Sequence, residues 1–272
     1  DEWDSKEIEY LLIGDSFTHG SCVNRPNDIA SVLRTLSNKS VLNLGYGGNG
    51  PLLEYATLRE YYNSNIKKIL WIYTESGDLF ELITEKKNKI LLEYLNSKNY
   101  SQNLKYRQVE VDNLIKKNFK IELRNQIQNR ILENVDQIED DNKLKYKFLK
   151  FIRLDKTKNI LRKKERYEDI ILKDFEKILR LSAELSKANN FKFIFVYIPG
   201  FNRYDGSNYS DYTYNRVISI VKKLDIDFID MKEVFDNEIN PKIFYPFEQF
   251  AYHLNIKGFK KVAETIYNFT KD

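Results

Sequence analysis

Cysteine and histidine are scarce in this chain of 272 residues, which contains one Cys and two His. A single cysteine excludes an internal disulfide framework and any cysteine-based zinc cluster. Two histidines also argue against a histidine-rich metal site. We therefore expect no metal centre and no cofactor.

Long apolar runs are also missing from the sequence. Its longest runs, such as residues 191–199, fall short of the roughly 18 to 20 residues that a membrane-spanning helix needs. Lys and Arg total 44 against 40 Asp and Glu, and a net charge of +4 is too small to predict nucleic acid binding. The chain begins at Asp1 with neither an initiator Met nor a signal-peptide pattern, which suggests that an upstream segment has been removed. We expect the chain as given to be soluble, and its compartment is left open.

Short apolar runs alternate with helical patterns near both ends of the chain. Helical spacing of apolar residues predicts helices over 28–36 and 53–62. Such alternation is typical of a parallel sheet that is covered by helices on both faces. We predict a three-layer α/β sandwich, flavodoxin-like in arrangement, whose five parallel strands lie at 9–13, 40–44, 68–73, 191–198 and 227–230.

The middle of the chain breaks this pattern. Between about residues 79 and 181 the sequence has no Gly and no Pro, and it contains no convincing strand. We interpret residues 81–186 as a long helical insertion that packs on the core. The core itself is then formed by residues 1–80 and 187–272.

The insertion contains a strongly basic stretch. Residues 142–166 hold eleven Lys or Arg against two acidic residues, and they follow an acidic stretch at 133–141. A face of this charge density could contact an anionic surface. The simpler alternative is a solvated helical hairpin whose charges offset the acidic stretch.

The first predicted strand leads into a turn of small residues, Gly14-Asp15-Ser16. Open parallel sheets bind ligands at the carboxyl ends of their strands, where the hydroxyl of Ser16 would lie. By itself this turn could also be no more than a cap for the helix that follows. The second strand leads into a loop with four glycines at positions 45–50, which could aim bare N–H groups at an anion. An ester-cleaving serine needs such donors, although phosphate-binding loops look similar.

His253 lies in a loop just before an amphipathic helix predicted over 259–269. A histidine in that position can act as a general base near neutral pH. Alone, it could equally be an ordinary surface histidine.

Together these segments resemble the SGNH (GDSL-like) hydrolase superfamily. Its blocks are Gly-Asp-Ser after the first strand, Gly after the second, Asn after the third and His before the last helix. The resemblance implies that Ser16 is the nucleophile, that the N–H groups of Ser16 and Gly48 form the oxyanion hole, and that His253 is the base. Asn255 and Gly258 fit the His-x-Asn-x-x-Gly continuation of the last block. About the first 80 and last 85 residues are covered.

The third block departs from the family pattern. Residues 75–79 resemble its Gly-Asn-Asp-Leu form, but Gly77 stands where the oxyanion-hole Asn is expected. Loss of one side-chain donor can cost about 3 to 4 kcal/mol of transition-state stabilisation. Ser76 or Asn49 could supply another donor.

The acid that normally orients the histidine is also missing. Phe250 occupies its position, three residues before His253. Glu248, Asp230 or a backbone carbonyl could replace it. We therefore predict a Ser–His dyad whose third member is unassigned.

His19 and Cys22 are two further candidates close to Ser16 in sequence. His19 follows Ser16 by three residues, and side chains this close on a turn usually point in different directions. Cys22 is expected to be a small packed residue rather than a nucleophile.

These patterns predict a serine-dependent acyl-ester hydrolase or O-acyltransferase. By family resemblance, its substrate would be an ester on a small molecule or glycan, with an acetylated carbohydrate favoured. The alternative is a non-catalytic glycan-binding or scaffold domain that kept the fold after losing family positions.

Overall fold

The computed structural model describes residues 5–133, 157–206, 209–248 and 253–271. The chain divides into two compact units, and the first contains Asp1–Tyr100 and Ile171–Asp272. The second contains Ser101–Ile170. In these described ranges, no helix is both long and apolar enough to cross a membrane.

A five-stranded parallel sheet forms the centre of the first unit. The strands are β1 (Ile8–Gly14), β2 (Val41–Asn43), β3 (Ile66–Thr74), β4 (Lys192–Ile198) and β5 (Asp227–Asp230). Their order is β2-β1-β3-β4-β5, so β1 lies between the strands that precede the glycine-rich loop and the third block. The predicted α/β fold is confirmed.

Both faces of the sheet are buried. Successive side chains of each strand point to opposite sides, so each strand contributes residues to both faces. Leu12, Leu70 and Ile194 are partners in register on one face, whereas Leu11 and Ile69 lie on the other. Helices of this unit cover both faces, which gives the predicted three layers. The helices of the described residues are α1 (Ser16–His19), α2 (Ile29–Ser37), α3 (Pro51–Tyr61), α4 (Asp78–Glu85), α5 (Lys89–Asn96), α6 (Gln108–Glu133), α7 (Thr157–Asn189), α8 (Tyr212–Lys223), α9 (Met231–Asp236) and α10 (Ile256–Thr270). Of these, α6 and the first part of α7 belong to the second unit.

The compact units do not end where the sequence changes character. Residues 81–100 and 171–186 were predicted as insertion, but they belong to the first unit. Helices α4 and α5 pack on α3, and Phe175 of α7 is fully buried in the core of this unit. The packing of the remaining insertion on the core stays a prediction.

One arginine shows how residues after α5 are tied to the core. Arg59 of α3 donates hydrogen bonds of 2.6 to 3.0 Å to four backbone carbonyls, those of Tyr94, Ser97, Lys98 and Tyr100. A guanidinium has five N–H donors in a fixed fork, so one side chain can hold a whole turn of irregular backbone. This contact explains why the chain stays with the first unit as far as Tyr100.

The described part of the second unit is helical. It contains a 3-10 helix at Leu104–Arg107, helix α6 and the beginning of α7. The side chains of the basic stretch at 142–166 lie outside the described residues. Its contact with an anionic surface therefore stays a prediction.

Candidate active site

The turn after β1 is held in place by Asp15. One carboxyl oxygen of Asp15 accepts a hydrogen bond of 2.8 Å from the N–H of Phe17, which caps the short helix α1. Gly14 has φ of +152°, and a Cβ there would lie 2.7 Å from the carbonyl oxygen of Ile72. Only glycine fits this turn, which leaves Ser16 as the first residue of α1 at the carboxyl end of β1.

Ser16 and His253 are brought together by the fold. The hydroxyl of Ser16 lies 2.8 Å from Nε2 of His253, although 237 positions separate the two residues in sequence. The imidazole also packs on Phe17, with ring centroids 5.0 Å apart. Burial lowers the pKa of His253 from its ordinary value of 6.5, because the charged imidazolium loses hydration. Near pH 7 the ring is neutral and can accept a proton.

The loop that carries His253 is fixed by the cap of α10. Asn255 accepts a hydrogen bond of 3.1 Å from the N–H of Gly258 and donates to the carbonyls of Ile243 (2.8 Å) and Tyr245 (3.0 Å). A Cβ at Gly258 would lie 2.5 Å from the carbonyl oxygen of Phe244, so a glycine is required there. The His-x-Asn-x-x-Gly pattern thus has a structural role in anchoring this loop.

Asn255→Ala is expected to lower the free energy of unfolding by about 1 to 2 kcal/mol, because it removes both the helix cap and the two loop contacts. Urea denaturation measures this change. Asn255→Asp keeps the cap acceptor but turns a carboxylate oxygen towards the carbonyl oxygens of Ile243 and Tyr245, so it should be at least as destabilising as Ala. Equal stability of all three proteins would contradict the proposed anchoring.

The glycine-rich loop approaches Ser16 from β2. Asn43 holds it there, because its amide donates to the carbonyl of Thr18 (2.7 Å) and accepts from the N–H of Gly45 (2.9 Å). A Cβ on Gly47 would lie 3.7 Å from Cβ of Ser16. Gly48 has φ of +83°, which favours glycine, and it is exposed. The loop therefore presents backbone beside the hydroxyl, where an oxyanion would need donors.

Gly77 caps α4 at the end of the neighbouring strand β3. A Cβ at this position would meet Thr74 and Asp15 at ordinary contact distances of 3.7 and 3.8 Å, so the backbone leaves room for a side chain. The amide of Asn49 lies 3.5 Å from the carbonyl of Gly14, and Ser76 is exposed. Neither alternative donor is assigned to the oxyanion hole by these contacts.

Asp230 and Glu248 are the two candidate acids for orienting His253. Asp230 accepts hydrogen bonds from the hydroxyl of Tyr214 (2.5 Å) and the N–H of Lys232 (2.9 Å), and it caps α9. Because β5 is three strand positions from β1, Asp230 lies roughly 14 Å along the sheet from the site. The fold does not bring it to His253. The side chain of Glu248 and all of Phe250 lie outside the described residues.

His19 and Cys22, the two other candidates near Ser16, have different contacts. His19 is exposed, and its ring contacts Tyr46 with centroids 6.0 Å apart. The expectation that Cys22 is packed was wrong, because Cys22 is exposed. The backbone of Cys22 has φ of +73°, and its Sγ lies 3.4 Å from Nδ1 of His253.

Buried carboxyl groups lie behind the turn that carries Ser16. Thr74 Oγ1 lies 3.0 Å from an oxygen of Asp15 and 2.8 Å from an oxygen of Asp78. A hydroxyl has one hydrogen and can donate to only one of them, so the other carboxyl must be protonated and donate to Thr74. Burial raises the pKa of Asp15 to about 6 and raises the pKa of Asp78 well above its ordinary value. We assign the proton to Asp78, which is fully buried.

These carboxyls do not form a metal site. Within the described ranges, no three or more His, Cys, Asp or Glu side chains are arranged to hold a metal ion. Glu54 adds a further buried carboxyl, and burial together with the nearby Asp78, Asp15 and Glu85 raises its pKa well above the ordinary value. Asp15, Asp78 and Glu54 thus form a cluster of buried carboxyl groups, and their raised pKa values favour the protonated forms.

Comparison with known proteins identifies the fold. No protein-family model matches the chain, and no curated protein matches it in sequence. Among solved structures, an acetyl xylan esterase has a TM-score of 0.53 at 13% identity, covering 97% of this chain and 100% of that one. A putative lipolytic protein of the G-D-S-L family from Desulfitobacterium hafniense DCB-2 has a TM-score of 0.51 at 14% identity, covering 96% and 99%.

A third similar structure is an alpha/beta hydrolase enzyme from the metagenome of Lake Arreo, Spain. Its TM-score is 0.50 at 8% identity, covering 100% of this chain and 98% of that one. All three identities are low, so the similarity concerns the fold. The chain has the fold of these three proteins, which include a member of the G-D-S-L family.

Proposed function

We propose that this protein is a serine-dependent ester hydrolase. The observation that carries the proposal is the distance of 2.8 Å between the hydroxyl of Ser16 and Nε2 of His253. This is the distance at which a neutral imidazole can remove the hydroxyl proton during attack. The site lies at the carboxyl end of a parallel strand, where open α/β sheets bind their ligands.

In the proposed mechanism, Oγ of Ser16 attacks the acyl carbonyl while Nε2 of His253 accepts the hydroxyl proton. The carbonyl oxygen then becomes an oxyanion, for which the N–H groups of Ser16 and Gly48 are the proposed donors. His253 returns its proton to the departing alcohol, which leaves an acyl group on Ser16. A water molecule, activated in turn by His253, releases the acid and restores the serine.

An acetylated carbohydrate is the proposed substrate class. One of the similar folds is an acetyl xylan esterase, which supports this choice. Tyr46 lies two residues before Gly48, one of the proposed oxyanion donors, and it is 68% exposed, so its ring is available to stack on a sugar. Transfer of the acyl group to a sugar hydroxyl uses the same acyl-enzyme, and a pocket that excludes water would favour transfer.

A non-catalytic glycan-binding domain is the second candidate function. It is favoured by Gly77, which provides no side-chain donor at a position where the backbone leaves room for one. Saturable binding of an acetylated polysaccharide without turnover would support this candidate.

Labelling with a fluorophosphonate tests the proposal without requiring the natural substrate, because such probes react with activated serines. We expect mass spectrometry to find one label on Ser16, no label in Ser16→Ala and much slower labelling in His253→Ala. His19→Ala is the matched control and should label at the unchanged rate. A folded protein that takes up no label would overturn the ester hydrolase proposal.

A further inference from the structure

Both ring nitrogens of His253 have a partner from the same segment of chain. Ser16 contacts Nε2 at 2.8 Å, and Cys22 contacts Nδ1 at 3.4 Å through its sulfur. Ser16 is the first residue of the short helix α1, and Cys22 follows six positions later, beyond the end of that helix. The imidazole therefore lies between a hydroxyl and a thiol.

The proposed reaction fixes the protonation of the ring. Nε2 must carry a lone pair to accept the proton of Ser16, so the single hydrogen of the neutral imidazole must be on Nδ1. The tautomer is set by the group that Nδ1 contacts. In this structure that group is the sulfur of Cys22, which can accept a hydrogen bond from the Nδ1 N–H.

We propose that Cys22 is the positioning residue for His253 and takes the place of the missing acid. Its sulfur accepts the hydrogen bond of the Nδ1 N–H and keeps Nε2 free to act as base. No bond is made or broken at Cys22, and the proton that leaves Ser16 moves only to Nε2. This inference rests on the proposed function of the Ser16–His253 pair.

The turn that carries Cys22 is tied to its surroundings at the two residues that precede the cysteine. Ser21 donates its N–H to the carbonyl of Ser16 at 3.0 Å, which ties the turn to α1. A Cβ on Gly20 would lie 2.5 Å from Cβ of Asp28, the residue that caps α2. The backbone passes close to the start of α2 before it reaches Cys22, and this close approach requires a glycine at position 20. The sulfur is thus held at a defined place beside the imidazole.

The first test reads the tautomer directly. The chain has two histidines, so the ring nitrogens of His253 can be assigned by nitrogen NMR of the full chain, with His19→Gln removing the other set of signals. We expect the Nδ1–H tautomer of neutral His253 to dominate in the unchanged protein and to lose its dominance in Cys22→Ala. An identical tautomer ratio in both proteins would overturn the role of Cys22.

The second test measures hydrolysis of a short-chain aryl ester. We expect Cys22→Ala to lower kcat about tenfold to a hundredfold with little change in KM, because the hydroxyl is correctly placed but the base is not. Cys22→Asp should recover activity, since Asp tolerates positive φ and its carboxylate accepts from Nδ1 more strongly than sulfur does. Ser21→Ala, at the neighbouring position, is the matched control and should keep the unchanged kcat.

The two tests separate the inference from the proposed function. If the unchanged protein shows neither ester hydrolysis nor labelling of Ser16, the proposed function fails, and the NMR result still decides whether Cys22 sets the tautomer. If the protein is active and Cys22→Ala matches it in kcat, the positioning role is refuted while the function stands.

Discussion

Ser16→Ala is expected to lower kcat for a short-chain aryl ester by about 10⁴-fold or more, since residues of a serine–histidine pair act as one unit. His253→Ala should cause a loss of similar size, because a serine hydroxyl without its base is a weak nucleophile. The double variant is expected to be little worse than either single variant. Steady-state kinetics of the three variants measure this non-additivity.

His19→Ala is the control for this comparison and should retain the activity of the unchanged protein. Its ring contacts the exposed ring of Tyr46 and is the only other imidazole in the chain. If the two single losses multiply in the double variant, Ser16 and His253 act independently and the proposed mechanism is wrong. If His19→Ala is as inactive as His253→Ala, the base has been misassigned.

The sheet could be predicted from sequence because burial on both faces leaves a strong signal. Runs such as Leu11 to Ile13 are continuously apolar and end in a turn of small residues, which marks both the strand and its carboxyl end. The first compact unit extends past the predicted start of the insertion, because contacts such as those of Arg59, which hold the chain as far as Tyr100, join segments that are distant in sequence.

The proximity of Ser16 and His253 could also be expected, because the two residues match the serine and histidine blocks of the family that the sequence resembles. The residues that support them carry weaker signals. Asn43 could have been noticed as a polar residue that ends a strand just before a glycine-rich loop. Cys22 gives no signal of this kind, because its contact depends on a left-handed turn that no local pattern specifies.

The largest expected effect on stability concerns the proton held by Asp78. Burial raises the pKa of Asp78 well above 3.8, so the folded protein keeps a proton that the unfolded chain has released. Stability therefore falls as pH rises from about 4 towards the folded pKa, by about 1.4 kcal/mol per pH unit for this group. Asp78→Asn imitates the protonated form, because its amide can donate to Thr74 Oγ1 and accept from the Thr74 N–H. The free energy of unfolding of Asp78→Asn, relative to that of the unchanged protein, should therefore rise with pH by about 1.4 kcal/mol per pH unit.

Urea denaturation at pH 4, 5, 6, 7 and 8 measures this difference. Glu81→Gln serves as the comparison, because burial and the nearby carboxyls of Asp15 and Glu85 raise the pKa of Glu81 to about 7. Its gain should therefore level off near pH 7, whereas the gain of Asp78→Asn should continue beyond it. A stability difference for Asp78→Asn that stays constant across this range would mean that Asp78 is ionised in the fold. The proton that one of the two carboxyl partners of Thr74 must carry would then belong to Asp15.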